Sequence, residues 1–272
     1  MEDSEAGIAV TAAADGTVVL QSQREASLSA WQRRCCDGVK HWAEGHGFAY
    51  RFEGDELFER VPSDIRRRFA SQPVVLSDLA RLLWLREALD EGFGRAIWVD
   101  ADVLLFRDFA PADGDRFGRE CWIQRRDGRL RSYRKLHNAW LQFVRGSVVL
   151  PFYIDRALLL LSRARPPVVP QFLGPKLLTA WHNIAPFAVE ARVGMLAPLP
   201  MAELLRAQGG DTPALRALVA GHEEPLCALN LCASFEGRRE GDMVHGPGDF
   251  AAVIDVLLHA DAKHRLDPGH SP

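Results

Sequence analysis

Apolar residues in the first hundred positions form short runs separated by longer segments with helical spacing. The short runs are typical of buried strands, and the longer segments carry apolar residues at steps of three or four, which is typical of amphipathic helices. Strands alternating with helices favour a parallel sheet. We therefore expect an α/β fold with a mostly parallel central sheet flanked by helices. The pattern predicts strands at 18–21, 48–52 and 96–100 and helices at 25–45, 64–70 and 77–91, the last capped by Ser77.

The second half of the chain has a more mixed pattern. The proline-rich segment 165–170 is predicted to be a stiff connector. Pro175 marks a helix start, because proline is favoured at the first helical position. The pattern predicts strands at 121–125 and 139–144, helices at 151–163, 174–182, 201–207, 213–220 and 250–260, and a loop at 209–211.

Composition restricts the class of protein. A hydrophobic fraction of 47% and a charged fraction of 25% are ordinary for a globular protein, and a net charge of −3 argues against non-specific nucleic-acid binding. The five cysteines form no C-x-x-C pair, which indicates reduced thiols. The N-terminus is acidic, unlike a signal peptide, and the most apolar stretch, 148–161, contains Asp155 and Arg156. We expect no transmembrane segment and a cytoplasmic location, with a peripheral position at the inner membrane face as the alternative.

Two acidic residues, Asp100 and Asp102, follow the apolar strand directly. Ligands in parallel α/β sheets bind beyond the carboxyl ends of strands, where this pair falls. Carboxylates at i and i+2 of a tight turn can hold a divalent cation, Mn²⁺ or Mg²⁺, that carries a phosphorylated ligand. A second pair with this spacing, Asp113 and Asp115, has no strand before it, which makes it the weaker candidate.

A second polar pair, Asp78 and Arg81, lies upstream in the helix that Ser77 is predicted to cap. Residues three apart share a helix face. In the first turn they would lie near the positive end of the helix dipole, where an anionic ligand is favoured. Arg81 can contact a phosphate or a sugar hydroxyl, and Asp78 can accept a hydrogen bond from a hydroxyl.

These motifs resemble those of GT-A glycosyltransferases with a DXD sugar-binding region, the family of yeast-type α-mannosyltransferases and clostridial toxin glucosyltransferases. The resemblance covers about residues 75–185. It rests on Ser77-Asp78-Leu79-Ala80-Arg81, on Ile97-Trp98-Val99-Asp100-Ala101-Asp102, on Asn138-Ala139 and on Gly174-Pro175-Lys176.

The resemblance implies a hexosyltransferase with a GT-A, Rossmann-like fold. It implies transfer with retention from a UDP- or GDP-sugar to a glycan, lipid or protein acceptor, with Asp78, Arg81 and Asp100 on the donor and Asp102 on the metal. We expect a single domain over 1–272. Its parts would be a nucleotide-sugar-binding half at 1–110, an acceptor-side half at 111–262 and a frayed tail at 263–272.

Four further site predictions rest on position or partial likeness. The family often has a late histidine and a Ser-Trp pair near the metal. The corresponding segment of this sequence has Ser234 followed by Phe235. His245 resembles instead the His-x-x-Gly loop of glycogenin-like transferases, so Ser234 and His245 are alternative metal ligands. Gln21, at the end of the first strand, lies where such a fold holds the nucleotide base. Lys176 can reach a phosphate or the acceptor.

Two other functions fit the same acidic pair. The motif around Asp100 also resembles the first motif of haloacid-dehalogenase-like phosphatases, whose first aspartate is a nucleophile, although that motif normally lies near the start of the chain. The other alternative is a sugar-nucleotide-binding protein that has lost turnover.

Overall fold

Strands and helices alternate along the computed structural model, which describes residues 16–206, 212–240, 243–259 and 266. The strands are β1 (Thr17–Ser22), β2 (Ala49–Glu53), β3 (Arg95–Val99), β4 (Val103–Leu105), β5 (Arg116–Arg126), β6 (Arg129–Val144), β7 (Val189–Glu190), β8 (Val193–Met195), β9 (Ala228–Asn230), β10 (Arg239–Glu240) and β11 (Met243–Val244). The helices are α1 (Ala30–Gly45), α2 (Ser63–Arg68), α3 (Pro73–Asp90), α4 (Val149–Arg163), α5 (Pro175–His182), α6 (Pro198–Arg206), α7 (Pro213–Val219) and α8 (Pro247–Leu258). Short 3-10 turns occupy Glu25–Ser27, Asp55–Arg60 and Ala233–Phe235.

The six-stranded central sheet has the strand order β2-β1-β3-β6-β5-β7. β1 pairs in parallel with β2 and β3, and β5 pairs in parallel with β7. β6 runs antiparallel to both of its neighbours, β3 and β5. Five of these six strands therefore point in one direction, which confirms the predicted α/β fold with a mostly parallel central sheet.

Helices cover both faces of the sheet, as the alternation of side chains along β1 shows. Val18 and Leu20 pack in one core cluster together with residues of α3 and α4. Val19, between them, packs on the other face with Val39 and Trp42 of α1. All three β1 side chains are fully buried, as expected for a parallel strand covered on both sides.

Helix α3 begins about one turn earlier than the sequence pattern predicts. Gln72 precedes it, and Pro73 occupies the first position, where the N–H group that proline lacks would have no partner within the helix. The prediction that Ser77 caps this helix is therefore wrong. The Ser77 hydroxyl lies inside the helix and accepts a hydrogen bond from Arg81 Nη2 at 3.2 Å. Asp78 and Arg81 lie in the second and third turns, so the helix dipole does not account for their position.

A single long hairpin replaces the two short strands predicted at 121–125 and 139–144. β5 and β6 pair along their lengths, with one irregularity beside Gly118. The turn residues Asp127 and Gly128 have φ values of 51° and 71°, and two left-handed residues in sequence are typical of a tight hairpin turn. The Asp-Gly dipeptide is a hairpin signal that the sequence already contains. The exposed arginines around the turn obscure the apolar alternation by which strands are usually found.

Most other predicted elements are present with shifted ends. α1 begins at Ala30 rather than at 25, because Ser29 and Gln32 form a capping box. α6 and α8 begin at prolines three residues before their predicted starts. Three parts of the chain lie outside the described residues: the acidic N-terminus, the predicted loop 209–211 and the predicted tail 263–272, except Leu266, which is buried.

The most apolar stretch of the chain, 148–161, falls almost entirely in α4. Leu150, Ile154 and Leu161 are buried and belong to the core cluster of the central sheet. Within the described ranges, no helix is both long enough and apolar enough to cross a membrane.

A small second sheet lies beside the end of β3. Its strand order is β4-β9-β8, with β4 antiparallel and β8 parallel to β9. β4 follows the acidic pair after a tight turn, and Val103 pairs with Asn230 at the end of β9. The small sheet thereby brings a segment from the last fifth of the chain next to Asp102.

Candidate active site

A cleft opens where the parallel strands β1, β2 and β3 end. It encloses a cavity of about 400 Å³, within the usual size range of small-molecule sites. Its walls come from the residues that follow each of the three strands and from the first turns of α3. They include Ser22 at the end of β1, Gln23 and Arg24 after it, Gly54 and Asp55 after β2, Asp100 to Asp102 after β3, and Val74, Ser77 and Arg81 from α3.

Asp100 is held on one side and open on the other. Its Oδ1 atom accepts hydrogen bonds from Arg81 Nη1 at 2.9 Å and from Trp98 Nε1 at 2.6 Å. Its backbone N–H donates to the Ala139 carbonyl at 2.8 Å, which ties the residue to β6. In the part of the chain that the structure describes, no protein group donates to Oδ2, and the side chain is 25% exposed. This oxygen is therefore free to bind a ligand from the cleft.

Asp102 is fixed by the segment that follows β9. Its Oδ1 atom accepts from the Asn230 side-chain amide and its Oδ2 atom from the Ala233 N–H, both at 2.8 Å. Cys232, between these donors, adopts a left-handed conformation with φ of 59°, which turns the chain so that both can reach the carboxylate. Burial, followed by the negative charge of Asp100, raises the pKa of Asp102 to about 6. A cation beside this carboxylate would offset both effects.

Asp78 and Arg81 form a buried charged cluster beneath Asp100. Arg81 Nη2 lies 3.3 Å from Asp78 Oδ1, and its Nη1 donates to the Asn138 carbonyl at 2.9 Å as well as to Asp100. The Asn138 amide donates to Asp78 at 2.7 Å. Burial raises the pKa of Asp78 to about 6, against the opposing influence of Arg81 and Asn138. The cluster thus holds Asp100 in place, while Asp78 itself lines neither cavity at the site.

Gly174, which directly precedes α5, packs closely against this cluster. A Cβ atom at Gly174 would lie 2.7 Å from the Asn138 amide, so only glycine allows so close an approach. The sequence motif around Gly174 therefore has a steric role that its position in the chain does not reveal.

A second, larger cavity of about 790 Å³ opens on the other side of the acidic pair. Asp100, Asp102 and Val74 line both cavities. The remaining walls come from β5 and β6, from α5 and from the segment after β9. Trp122 of β5 and Phe235 face each other there, with ring centroids 5.2 Å apart. Sequence reasoning missed this wall, because it depends on the hairpin register.

The other predicted site residues fall in three different places. Ser234 and Lys176 line the larger cavity. Gln21 is fully buried; it donates to the Asp100 carbonyl at 3.3 Å and accepts from the Tyr50 hydroxyl at 2.9 Å, so it supports the acidic turn from inside the protein.

His245 does not reach the acidic pair. It is buried, with Nε2 3.1 Å from the Pro198 carbonyl and Nδ1 3.6 Å from Asp249. It lines neither cavity at the site. The reason is local: the histidine packs against the first turns of α6 and α8, away from the segment that contacts Asp102.

The residues at the acidic pair suit a cation that is also bound by a phosphorylated ligand. They are less suited to a cation held by protein ligands alone. Among the described residues, no group of three or more His, Cys, Asp or Glu side chains could hold a metal ion. Asp100 and Asp102 supply two carboxylates at the junction of the two cavities. Mg²⁺ is commonly held by one or two carboxylates, with phosphate oxygens and water completing its shell.

The chain matches no family model and no curated protein. One of the solved structures similar to it is described as the crystal structure of a glycosyltransferase involved in the glycosylation of the major capsid of PBCV-1. The two chains are 11% identical, the alignment covers 89% of this chain and 100% of the other, and the TM-score is 0.44.

Proposed function

We propose that this protein is a metal-dependent glycosyltransferase that moves a hexose from a UDP- or GDP-sugar to an acceptor. One observation carries the proposal: Asp100 and Asp102 form the junction of two cavities. A transferase needs a donor site and an acceptor site that meet at the reacting bond, with a charge-neutralising group between them.

The smaller cavity suits the nucleoside diphosphate. It lies beyond the carboxyl ends of three parallel strands, where open α/β sheets bind their ligands. This cavity is lined by Ser22, the last residue of β1, and by Gln23 and Arg24, which follow it. We assign to these residues the role near the base that the sequence predicts for Gln21. The hexose would then lie toward the larger cavity, past the acidic pair.

Asp100 and Asp102 would hold Mn²⁺ or Mg²⁺ against the diphosphate. When bound, the cation would neutralise the charge that develops on the departing nucleotide. Arg81 orients Asp100 through the 2.9 Å hydrogen bond and leaves Oδ2 available. Ser234 lines the larger cavity and follows Ala233, the donor to Asp102, which makes it the better placed of the two further ligands considered. The motifs of the acidic turn and of α3 imply retention of anomeric configuration, and we propose it on that resemblance.

The test is a nucleotide-release assay with a panel of UDP- and GDP-sugars and Mn²⁺, run beside p-nitrophenyl phosphate. We expect nucleoside diphosphate to be released from at least one sugar nucleotide and no phosphate from the monoester. Release of phosphate alone would favour the phosphatase alternative. Binding of a sugar nucleotide without release, even to water, would favour the inactive binding protein.

Asp102→Asn is the decisive variant in this assay and in calorimetry with Mn²⁺ and UDP or GDP. One carboxylate oxygen becomes an NH₂ group that must face either the Asn230 amide or the Ala233 N–H, both donors. We expect at least a 100-fold loss of metal-dependent affinity. Asp113→Asn is the matched control, since Asp113 belongs to the second acidic pair and is exposed. Undiminished affinity in Asp102→Asn would refute the metal assignment.

A further inference from the structure

One wall of the larger cavity combines aromatic and charged side chains on a single strand face. Glu120 and Trp122 are two residues apart on β5 and therefore point the same way. Lys135 lies opposite Glu120 in the hairpin register, and its Nζ lies 3.4 Å from Glu120 Oε1. All three line the cavity. The hairpin thus presents an indole ring and an ion pair, whose carboxylate is buried and whose ammonium group is partly exposed, to the same space.

Phe235 joins this wall to the acidic pair. Its ring lies 5.2 Å from that of Trp122, tilted by 36°. It lies two residues after Ala233, whose N–H donates to Asp102. The next residue, Glu236, accepts a hydrogen bond from Trp31 Nε1 at 2.9 Å, which anchors the segment. The aromatic surface therefore begins directly beside the proposed metal site.

The facing wall presents several polar groups, some of which have no partner among the described residues. Lys176, Thr179 and Asn183 lie on one face of α5 and its end, at steps of three and four. Within the described ranges, the side chains of Gln171, Lys176 and Asn183 make no hydrogen bond or ion pair with another protein group. They are therefore available to a ligand in the cavity.

We propose that this cavity binds a saccharide acceptor, with Trp122 and Phe235 as its stacking surface and with Glu120 and the free amides as partners for its hydroxyl groups. The inference rests on the proposed function and specifies its acceptor. A sugar ring has an apolar C–H face and a rim of hydroxyls, which matches an aromatic surface opposed by amides. A lipid chain would leave the amides of Gln171 and Asn183 and the ammonium group of Lys176 without partners, which is costly.

The size of the cavity agrees with this assignment. Lys135 precedes Asn138 by three residues on β6, so the Glu120–Lys135 pair lies about 10 Å from Asn138 at about 3.3 Å per residue. Asn138 in turn contacts Asp78 in the charged cluster. A saccharide can extend over this distance from the acidic pair to Glu120.

The probes are methyl glycosides of glucose, galactose, mannose and N-acetylglucosamine, in both anomers, together with maltose, cellobiose and lactose. Saturation-transfer NMR with the diamagnetic cation Mg²⁺ and UDP or GDP detects their binding to the full chain without requiring turnover. We expect at least one saccharide to bind and to accelerate nucleotide release above the rate of donor hydrolysis. Trp122→Ala should weaken its binding about tenfold, the order of a lost aromatic contact.

Three further variants separate recognition from folding. Trp122→Phe keeps an aromatic ring and should retain most of the binding. Glu120→Gln should weaken binding threefold to tenfold. Trp181→Ala is the matched control, because Trp181 is also half-buried but packs on Phe152 and Tyr153 and does not line the cavity; its saccharide affinity should stay within twofold.

The failures of the two proposals are distinguishable. If Mn²⁺ and the nucleotide bind but no saccharide does, the acceptor inference is wrong and the proposed function stands. Equal saccharide affinity in Trp122→Ala and the unmodified protein would also overturn it, as would a fatty alcohol or a serine peptide that alone accelerates donor turnover. If neither metal–nucleotide binding nor donor turnover is detected, the proposed function itself fails.

Discussion

The parallel part of the sheet and the antiparallel hairpin meet at the acidic pair, but they hold their buried polar residues in opposite ways. In the parallel part, Arg81 lies between Asp78 and Asp100 and balances buried charge. In the hairpin part, His137 is fully buried and neutral: its Nδ1 atom accepts a hydrogen bond from the Ala139 N–H at 3.1 Å, and its ring is packed so closely that a Cβ at Gly118 would lie 2.2 Å from it.

The same contrast appears in proton binding. Burial raises the pKa of Asp78 and of Asp102 to about 6, and it lowers the pKa of His137 and of His222 to about 4. The parallel side of the site thus depends on compensated charge, whereas the buried histidines on the hairpin side are neutral and depend on close packing. Different kinds of substitution should therefore disrupt the two sides.

Removing the central cation of the charged cluster should have the largest effect. Arg81→Leu leaves Asp78 and Asp100 without their main counter-charge, and breaking a buried ion pair from one side costs about 3–5 kcal/mol. Chemical denaturation should show that loss in the free energy of unfolding. Arg86→Leu, on the exposed face of the same helix, should change it by less than about 0.5 kcal/mol. Adding Asp78→Asn to Arg81→Leu should recover part of the loss; no recovery would mean that the cluster is not electrostatically balanced.

The pH dependence of stability should separate the two sides next. His137 and His222 bind protons less readily in the folded state than in the unfolded state. They therefore lower the free energy of unfolding as the pH falls from about 6.5 to about 4. Asp78 and Asp102 bind protons more readily folded than unfolded, so they add stability as the pH falls through about 6 toward 4. At about 1.4 kcal/mol per pKa unit, each group contributes on the order of 3 kcal/mol.

Single substitutions should expose this opposition in metal-free protein. His222→Asn should reduce the loss of stability between pH 7 and pH 4, and Asp78→Asn should increase it. Parallel curves for both variants and the unmodified protein, measured by urea unfolding at each pH, would show that these groups do not couple to folding.

Steric fit on the hairpin side gives a smaller effect. Gly118→Ala places a methyl group against the His137 ring, which cannot move away because it is fully buried. We expect a loss of about 1–3 kcal/mol, the usual cost of overpacking. Gly38→Ala is the control: its Cβ would meet nothing within 4 Å in α1, so helix propensity should raise stability by about 0.5–1 kcal/mol. Equal unfolding midpoints for the two variants would contradict the steric account.

The smallest effect should distinguish Ser234 from His245. Ser234→Ala removes a hydroxyl at the larger cavity, and a net hydrogen bond of about 1 kcal/mol corresponds to roughly fivefold slower turnover. His245→Ala should leave turnover within twofold, since the ring faces Pro198 and Asp249. A larger effect of His245→Ala on turnover at unchanged thermal stability would reverse the assignment.

The local pattern of apolar residues was sufficient to predict the strands and helices in much of the first hundred residues. The apolar run before Asp100, the periodicity of 25–45 and the alternation of 48–52 each depend on neighbours within a few positions, which is why they predict β3, α1 and β2. The prediction of where α3 starts failed because two sequence signals competed: Pro73 for the first helical position and Ser77 for a cap. The proximity of Asp78 and Arg81 depended only on helical spacing and survived that error.

The surroundings of Asp102 and the larger cavity required the tertiary structure. Asn230 and Ala233 reach Asp102 across more than 125 residues of chain, and only the pairing of β4 with β9 brings them there. Likewise, Glu120 and Trp122 face the site because of the register between β5 and β6, in which a slip of one residue would turn them to the opposite face. Sequence by itself determined which residues could do chemistry at the strand end; long-range pairing decided which others join them, because neither the pairing of β4 with β9 nor the left-handed conformation of Cys232 is encoded in a short segment.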